Sequence, residues 1–366
     1  MTFLGVLIFI VAILFSVGLH EFGHLITAKK FGIKAEQFFI GFGPKLWSFR
    51  RGETEYGVKA LPLGGYVKIA GMNPFEDVAP EDRDRVFKAK KPWQRAIVLA
   101  AGSFTHFLLA FIILAGVLMI AGELHTVPTV NDVSSGSPAA AAGFMKGDRL
   151  VSIDGIPVTS WDGAVDLIHV RPGAQSVFVV QRNDALVTLR VRLADHKPDG
   201  TKSGYLGIGP TAVSVRRGPL PAFGRAGSSV GAGMVATVKA VRDLFSPSSI
   251  SHLFRVAARK DERKQTDPST LVGIGQQAGD LARSGDFRTI FLMIAALNIF
   301  IGVLNLLPLP PLDGGHLAVL AYEKVTRRVV DMRRLIPVAA TVIGVFGGLF
   351  LLLLFNELFR ARPIPG

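Results

Sequence analysis

The chain has 366 residues, a formal charge of +13 and no cysteine. That length leaves room for two or three structural units, and the missing thiols exclude disulfides, thiolate metal sites and cysteine catalysis together. Hydrophobic residues make up 49% of the chain and the mean hydropathy is +0.40, values that exclude an ordinary soluble domain and are accounted for by four long apolar runs.

Those runs cover 3–19, 97–120, 290–309 and 336–355. Each approaches the ~20 residues that a helix needs to cross the hydrocarbon core, so the chain reads as a polytopic α-helical membrane protein. The first transmembrane helix is expected over 1–28. It lacks the basic n-region and small-residue cleavage site of a secretory signal, and is read as a retained span. A region at 29–92 follows, in which short alternating segments broken by glycine predict β-hairpins up to residue 69, and the charged stretch 76–91 predicts a surface helix. The second transmembrane helix is expected over 93–122.

Residues 126–195 form a β-rich module. The stretch Ala142-Gly143-Phe144-Met145-Lys146-Gly147-Asp148 leads into a strand, Asp154-Gly155 makes a turn, and a helix over 161–169 precedes strands at 176–182 and 186–193. The segment 196–288 is expected to be an extracytoplasmic linker. Its apolar stretch at 230–245 is interrupted by Lys239 and Arg242, which suits an amphipathic surface helix better than a span. A third transmembrane helix is expected over 289–322, broken at Leu312-Asp313-Gly314-Gly315, and a fourth over 336–358.

Charge orients these elements. Residues 29–95 hold 14 Lys/Arg and 324–334 hold 5, whereas the much longer 123–287 holds 19. By the positive-inside rule the first two segments face the cytoplasm and the third lies outside. The basicity therefore belongs to membrane topology, and no nucleic-acid partner is expected.

The chemistry concentrates at the end of the first apolar run, in His20-Glu21-Phe22-Gly23-His24. A helix places residues i and i+4 on one face, so both imidazoles can reach one metal ion, with Glu21 beside them to deprotonate an attacking water. Ionisable groups inside a span are costly, about 2.5–3.5 kcal/mol for a charge at mid-bilayer, and persist mainly where they bind something. A hydrolytic zinc site takes three protein ligands and leaves one position open, so two histidines require one more oxygen or nitrogen donor. Asp313 is the best candidate, because Pro308, Pro310 and Pro311 end the third helix beside it and Gly314-Gly315 frees the backbone. Standing alone, that aspartate would read as an interfacial turn.

These features together resemble the site-2 protease family: an HExxH in the first span, Leu-Asp-Gly-Gly in a late one and an intervening module similar to a bacterial, circularly permuted PDZ domain. The bacterial branch of that family includes the regulator of sigma-E protease. The stretch from Gly41-Phe42-Gly43-Pro44 through Tyr56-Gly57-Val58-Lys59 is similar to actinobacterial members with a single PDZ domain. The resemblance implies a multi-pass protein of the cytoplasmic membrane, with one extracytoplasmic PDZ-like domain and its active site toward the cytoplasm. It implies zinc on His20, His24 and Asp313, Glu21 as general base, and Asn305 holding substrate near the metal. It further implies a membrane-associated β-element in 36–69 that presents an extended substrate, drawn from single-span membrane proteins such as an anti-sigma factor. Many members carry Gly-Pro-x-x-Asn in the second span, where this chain has Gly102-Ser103-Phe104-Thr105-His106. His106 is read as hydrogen-bonded within the bundle and His316 as an interfacial residue near the site, and neither as a ligand.

Two other functions compete. A non-catalytic scaffold or chaperone would need ligands but no base, and Glu21 speaks against it. A transporter predicts inverted repeats, which four dissimilar spans do not show.

Overall fold

In the computed structural model the described residues are 2–73, 75, 78–198, 200–264 and 267–359. The chain divides into two compact units, one of Met1–Val117 with Gly218–Gly366 and one of Leu118–Arg217.

Helix α1 (Thr2–Lys30) is apolar along most of its length and ends on Lys29 and Lys30, which complement its dipole. Strands β1 (Ala35–Arg51) and β2 (Thr54–Ile69) make a hairpin whose two arms bend and pair twice. Phe38 is registered with both Val67 and Tyr56, and Ile40 with both Gly65 and Val58, so 37–40 lies between 65–68 and 55–58. The stretch 47–51 closes the far side against 54–58. Among the described residues no further strand pairs with the outer edge at 65–68. Leu46, Trp47, Phe42 and Leu61 are exposed on the hairpin, an apolar patch that suits lipid better than water.

The helix expected over 76–91 is instead two short 3-10 turns, Pro80–Arg85 and Phe87–Ala89; residues 76 and 77 lie outside the described residues. A charged stretch without an apolar stripe has no face to hold a helix in place. The turns are pinned by ion pairs, Lys34 to Asp82 at 2.5 Å and Arg85 to Glu53 at 2.6 Å, and by burial of Phe87 with Ile33 and Ile69. Helix α2 (Pro92–Ile120) follows, with proline at its first position where no amide bond is lost.

The second unit comprises β3 (Glu123–Val133), α3 (Pro138–Ala141), β4 (Arg149–Ile153), β5 (Ile156–Pro157), α4 (Trp161–His169), β6 (Gln175–Arg182), β7 (Ala185–Arg192), β8 (Ala194–His196), β9 (Lys202–Tyr205) and β10 (Ile208–Val215). One sheet runs β10-β3-β4-β6-β7 with β5 on β4, and β8 pairs with β9. The unit is wider than the expected 126–195, because β10 pairs along β3 and Leu206 enters the same core as Leu150, Ile153, Phe178 and Val180. Asp154-Gly155 turns the chain as expected, both residues having positive φ, 52° and 78°. The Gly143–Asp148 turn is held by Arg182, which donates to both Asp148 oxygens at 2.7 Å and to the Gly143 carbonyl at 2.8 Å.

The first unit resumes with α5 (Pro219–Leu244), α6 (Pro247–Ala257), α7 (Leu271–Ser284), α8 (Phe287–Asn305), α9 (Asp313–Thr326) and α10 (Ile336–Phe359). Among its described residues, the segment expected as a linker over 196–288 thus contains two whole strands, β9 and β10, and three whole helices, α5 to α7. Helix α7 is poor in large apolar residues, and its packing is of another kind. Ala278 and Ala282 let it lie close on Phe9 of α1, as small residues do between membrane helices. Its first turn is capped by Glu357 of α10, which accepts from the Thr270 and Gly273 amides at 3.2 Å. Among the described residues four helices are long and apolar enough to cross a membrane, Val6–Lys30, Pro92–Ile120, Phe287–Asn305 and Met332–Phe359, in keeping with the four runs in the sequence.

Candidate metal centre

The centre is built where α1, α2 and the start of α9 converge. His20 and His24 are one turn apart on α1, and both are buried. Their Nε2 atoms stand 3.1 Å apart, and Oδ2 of Asp313 lies 3.3 Å from that of His20 and 3.2 Å from that of His24. These are the three groups that could hold a metal ion among the described residues. A tetrahedral zinc with ligands at ~2.0 Å has edges of ~3.3 Å, so the triangle matches one face of such a tetrahedron.

Three local features place these atoms. Nδ1 of His24 is 2.7 Å from the Val98 carbonyl of α2, so that nitrogen carries the proton and Nε2 keeps its lone pair for a metal. Both imidazoles lie directly on the backbone of α2 at Gly102. A Cβ there would stand 2.4 Å from Nε2 of His24 and 2.5 Å from Cε1 of His20. Asp313 is delivered by the proline loop, which folds back over the first turn of α9. A Cβ on Gly314 would meet the Leu306 carbonyl oxygen at 2.2 Å, and one on Gly315 the Pro310 nitrogen at 2.5 Å. Both glycines of the Leu-Asp-Gly-Gly motif are therefore required by packing.

Glu21 lies beside this triangle and close enough to interact with the charges of His20, His24 and Asp313. Strand β2 passes it at Gly65, where a Cβ would be 3.2 Å from Glu21 Cγ. The sheet edge at 65–68 thus runs past the only carboxylate adjoining the triangle on α1. The Asn305 amide, at the end of α8, is 3.4 Å from Nδ1 of His20. All five residues singled out from the sequence come together.

The histidines set aside from the sequence remain outside the triangle. His106 is buried with its ring centroid 5.0 Å from that of His20. Its Nδ1 is 2.9 Å from Ser16 Oγ and 3.0 Å from Asn298 Oδ1, and Asn298 donates to the Ile294 carbonyl at 2.9 Å. His316 faces a small cleft of about 190 Å³ with Arg95 and Glu323. Sequence reasoning expected His106 to be hydrogen-bonded within the bundle but missed its partners, Ser16 and Asn298, and the cradle at Gly102. The network has no spacing signature because its members come from three helices.

Residues 8–354 match the family model of Peptidase family M50. The chain belongs to peptidase family M50. The match spans both halves of the centre, with His20 near its start and Asp313 near its end. Zinc metalloprotease Rip1 of Mycobacterium tuberculosis is 34% identical over 90% of this chain and 88% of its own length. Rip1 of Mycolicibacterium smegmatis is 31% identical over 99% of this chain and 98% of its own. Metalloprotease MmpA of Caulobacter vibrioides is 34% identical over 89% of each chain. Among solved structures, the PDZ domain of an SdrC-like protein from Listeria monocytogenes is 23% identical, covers 24% of this chain and 90% of that one, and gives a TM-score of 0.21. As an M50 peptidase the protein is an enzyme. With its homologues named zinc metalloproteases, the family match makes it an intramembrane zinc metallopeptidase.

Proposed function

We propose that this M50 member cleaves peptide bonds within or beside the membrane span of single-span proteins, using a zinc ion held by His20, His24 and Asp313 and Glu21 as general base. The protein is a zinc metallopeptidase of the membrane. The observation that carries the reading is the closure of a 3.1–3.3 Å triangle of donors from residues 20, 24 and 313, with a carboxylate alongside.

Zinc, when bound, polarises the scissile carbonyl and lowers the pKa of a water toward ~7. Glu21 takes the proton of the attacking water on a carboxylate oxygen and returns it to the leaving amine nitrogen. With Nε2 of His20 given to the metal, its Nδ1–H faces the Asn305 amide; turned so that its oxygen accepts, that amide fixes the ring. The amide nitrogen is then left to donate to a substrate carbonyl.

A peptide bond in a helix is protected by its own hydrogen bonds, so a substrate span has to unwind before it is attacked. The edge of β2 at 65–68 offers backbone groups to a chain that arrives extended, and adding a strand there would lay it across Glu21. The exposed apolar side chains of the hairpin suit a position at the membrane face. The charge asymmetry supports a cytoplasmic position for the hairpin and for 324–334, and an external one for 123–287. The 118–217 unit has the strand–turn–helix order of a permuted PDZ domain and, on this reading, admits substrates already shortened outside. An anti-sigma factor is the substrate type that the family resemblance favours.

The test is Glu21→Gln assayed against a co-expressed single-span protein. Cleavage should cease while the purified variant keeps its zinc. Continued cleavage would remove Glu21 from the mechanism.

A further inference from the structure

A cleft in the first unit lies apart from the metal centre. It measures about 630 Å³, within the ~300–1,000 Å³ usual for small-molecule sites, and lies behind the turn that delivers Asp313. Pro308, Pro310, Gly315, Tyr322, Arg328 and Arg334 are among its lining residues. Leu335 and Val338 of the α10 entry line it too, so the positive end of that helix faces the same space.

Three observations define its occupant. Among the described residues neither Arg328 nor Arg334 forms an ion pair, so two guanidinium groups border the cleft with no carboxylate of their own. The one carboxylate there, Asp331, accepts from the Arg333 amide at 3.0 Å; with Arg327 and Arg333 alongside, the segment 327–334 carries four arginines against one aspartate. Finally, the segment leads directly into a candidate membrane span, Met332–Phe359, and Val325 and Val329 stand 82% and 89% exposed beside it. Such large exposed valines next to unpaired arginines fit the depth at which phospholipid headgroups meet acyl chains.

We propose that this cleft binds an anionic phospholipid, its phosphate on Arg328 and Arg334 and its upper acyl chains against the prolines and valines. Basic recesses beside spans recognise such headgroups, and each arginine near an anionic surface contributes about 1 kcal/mol. Because the lipid would rest on Pro308, Pro310 and Gly315, it braces the backbone that carries Asp313. Lipid binding here does not depend on the assignment of Glu21.

The test uses the full-length protein in detergent, titrated with phosphatidylglycerol or phosphatidylcholine, with bound lipids counted by native mass spectrometry. One phosphatidylglycerol should be retained beyond the number of phosphatidylcholines. The R328Q/R334Q variant should hold it about 30-fold more weakly, two arginines at about 1 kcal/mol each. Hydrogen exchange over 313–320 should slow with phosphatidylglycerol in the wild type and not in the variant. Ala318→Trp, which fills the cleft and leaves the arginines, should give the same loss, and so covers the case in which the arginine pair is needed for folding. Equal retention of the two lipids, unchanged retention by both variants, or displacement of the lipid by inorganic phosphate alone would overturn the proposal.

Discussion

Gly102→Ala tests whether the two imidazoles are positioned by the backbone of α2. The added Cβ would lie 2.4 Å from Nε2 of His24, 2.5 Å from Cε1 of His20 and 2.7 Å from Nδ1 of His20, where ordinary contact begins at 3.4 Å. The rings have to retreat by about 1 Å, several times the ~0.2 Å tolerance of a metal–ligand distance. The obstacle is a helix backbone, which does not yield, and His24 is tethered to the Val98 carbonyl of that same helix. Overpacking of this kind costs about 1–3 kcal/mol, and falling on the ligands it weakens zinc binding roughly 5- to 150-fold. Competition with a chromophoric chelator reads that affinity directly, and the rate of cleavage of a single-span substrate should fall with it. Gly116→Ala is the control, since it lies on the same helix with nothing within 4 Å of the new Cβ, and it should leave zinc affinity unchanged. Wild-type zinc affinity in Gly102→Ala would refute the claim that α2 seats the ligands.

Other consequences follow from the same structure. His106→Leu leaves Ser16 and Asn298 buried without their shared partner. It should lower stability by about 1–3 kcal/mol in thermal unfolding with one zinc per chain retained; zinc loss would make His106 part of the metal site. Asp148→Asn breaks a bidentate pair in which the carboxylate is fully buried and Arg182 is 23% exposed, and should destabilise the 118–217 unit by about 1.5–3 kcal/mol, read as faster hydrogen exchange in β4 and β6. Burial alone would raise the Asp148 carboxyl, but the Arg182 guanidinium and the Met145 amide outweigh it and hold the group below the ordinary carboxylate range. Its stabilising effect is therefore complete above the unfolded value near ~3.9 and is lost as pH falls through the lower folded value. Exchange in those strands should accelerate only in acid, and less so in Asp148→Asn.

How much of this was legible beforehand depends on the range of the contact concerned. The spans and the HExxH are local signals, a run of apolar side chains and an i, i+4 spacing, and both transfer directly to α1, α2, α8 and α10. Asp313 is 289 residues from His24, yet it was recoverable because zinc chemistry demands a third donor and prolines mark where a helix breaks. In the segment 219–284 only the amphipathic helix expected at 230–245, which lies almost wholly in α5, was legible. Helix α7 packs through alanine and glycine, which carry little hydropathy, and its cap, Glu357, sits some 85 residues downstream on α10. The double pairing of 37–40 in the hairpin is likewise a matter of bends in two long strands, which alternation of residue types does not encode. Gly102 shows the remaining gap. A lone glycine in an apolar helix looks like a loss of helix propensity until the rings that rest on it are seen.

The proposed chemistry rests on three donors, and X-ray absorption at the zinc edge of the Glu21→Gln protein reads them directly. Two imidazole nitrogens and carboxylate or water oxygens at ~2.0–2.2 Å are predicted, with Asp313→Ala losing zinc or one oxygen from that shell. A third imidazole in the shell, or a spectrum unchanged by Asp313→Ala, would contradict the assignment of His20, His24 and Asp313.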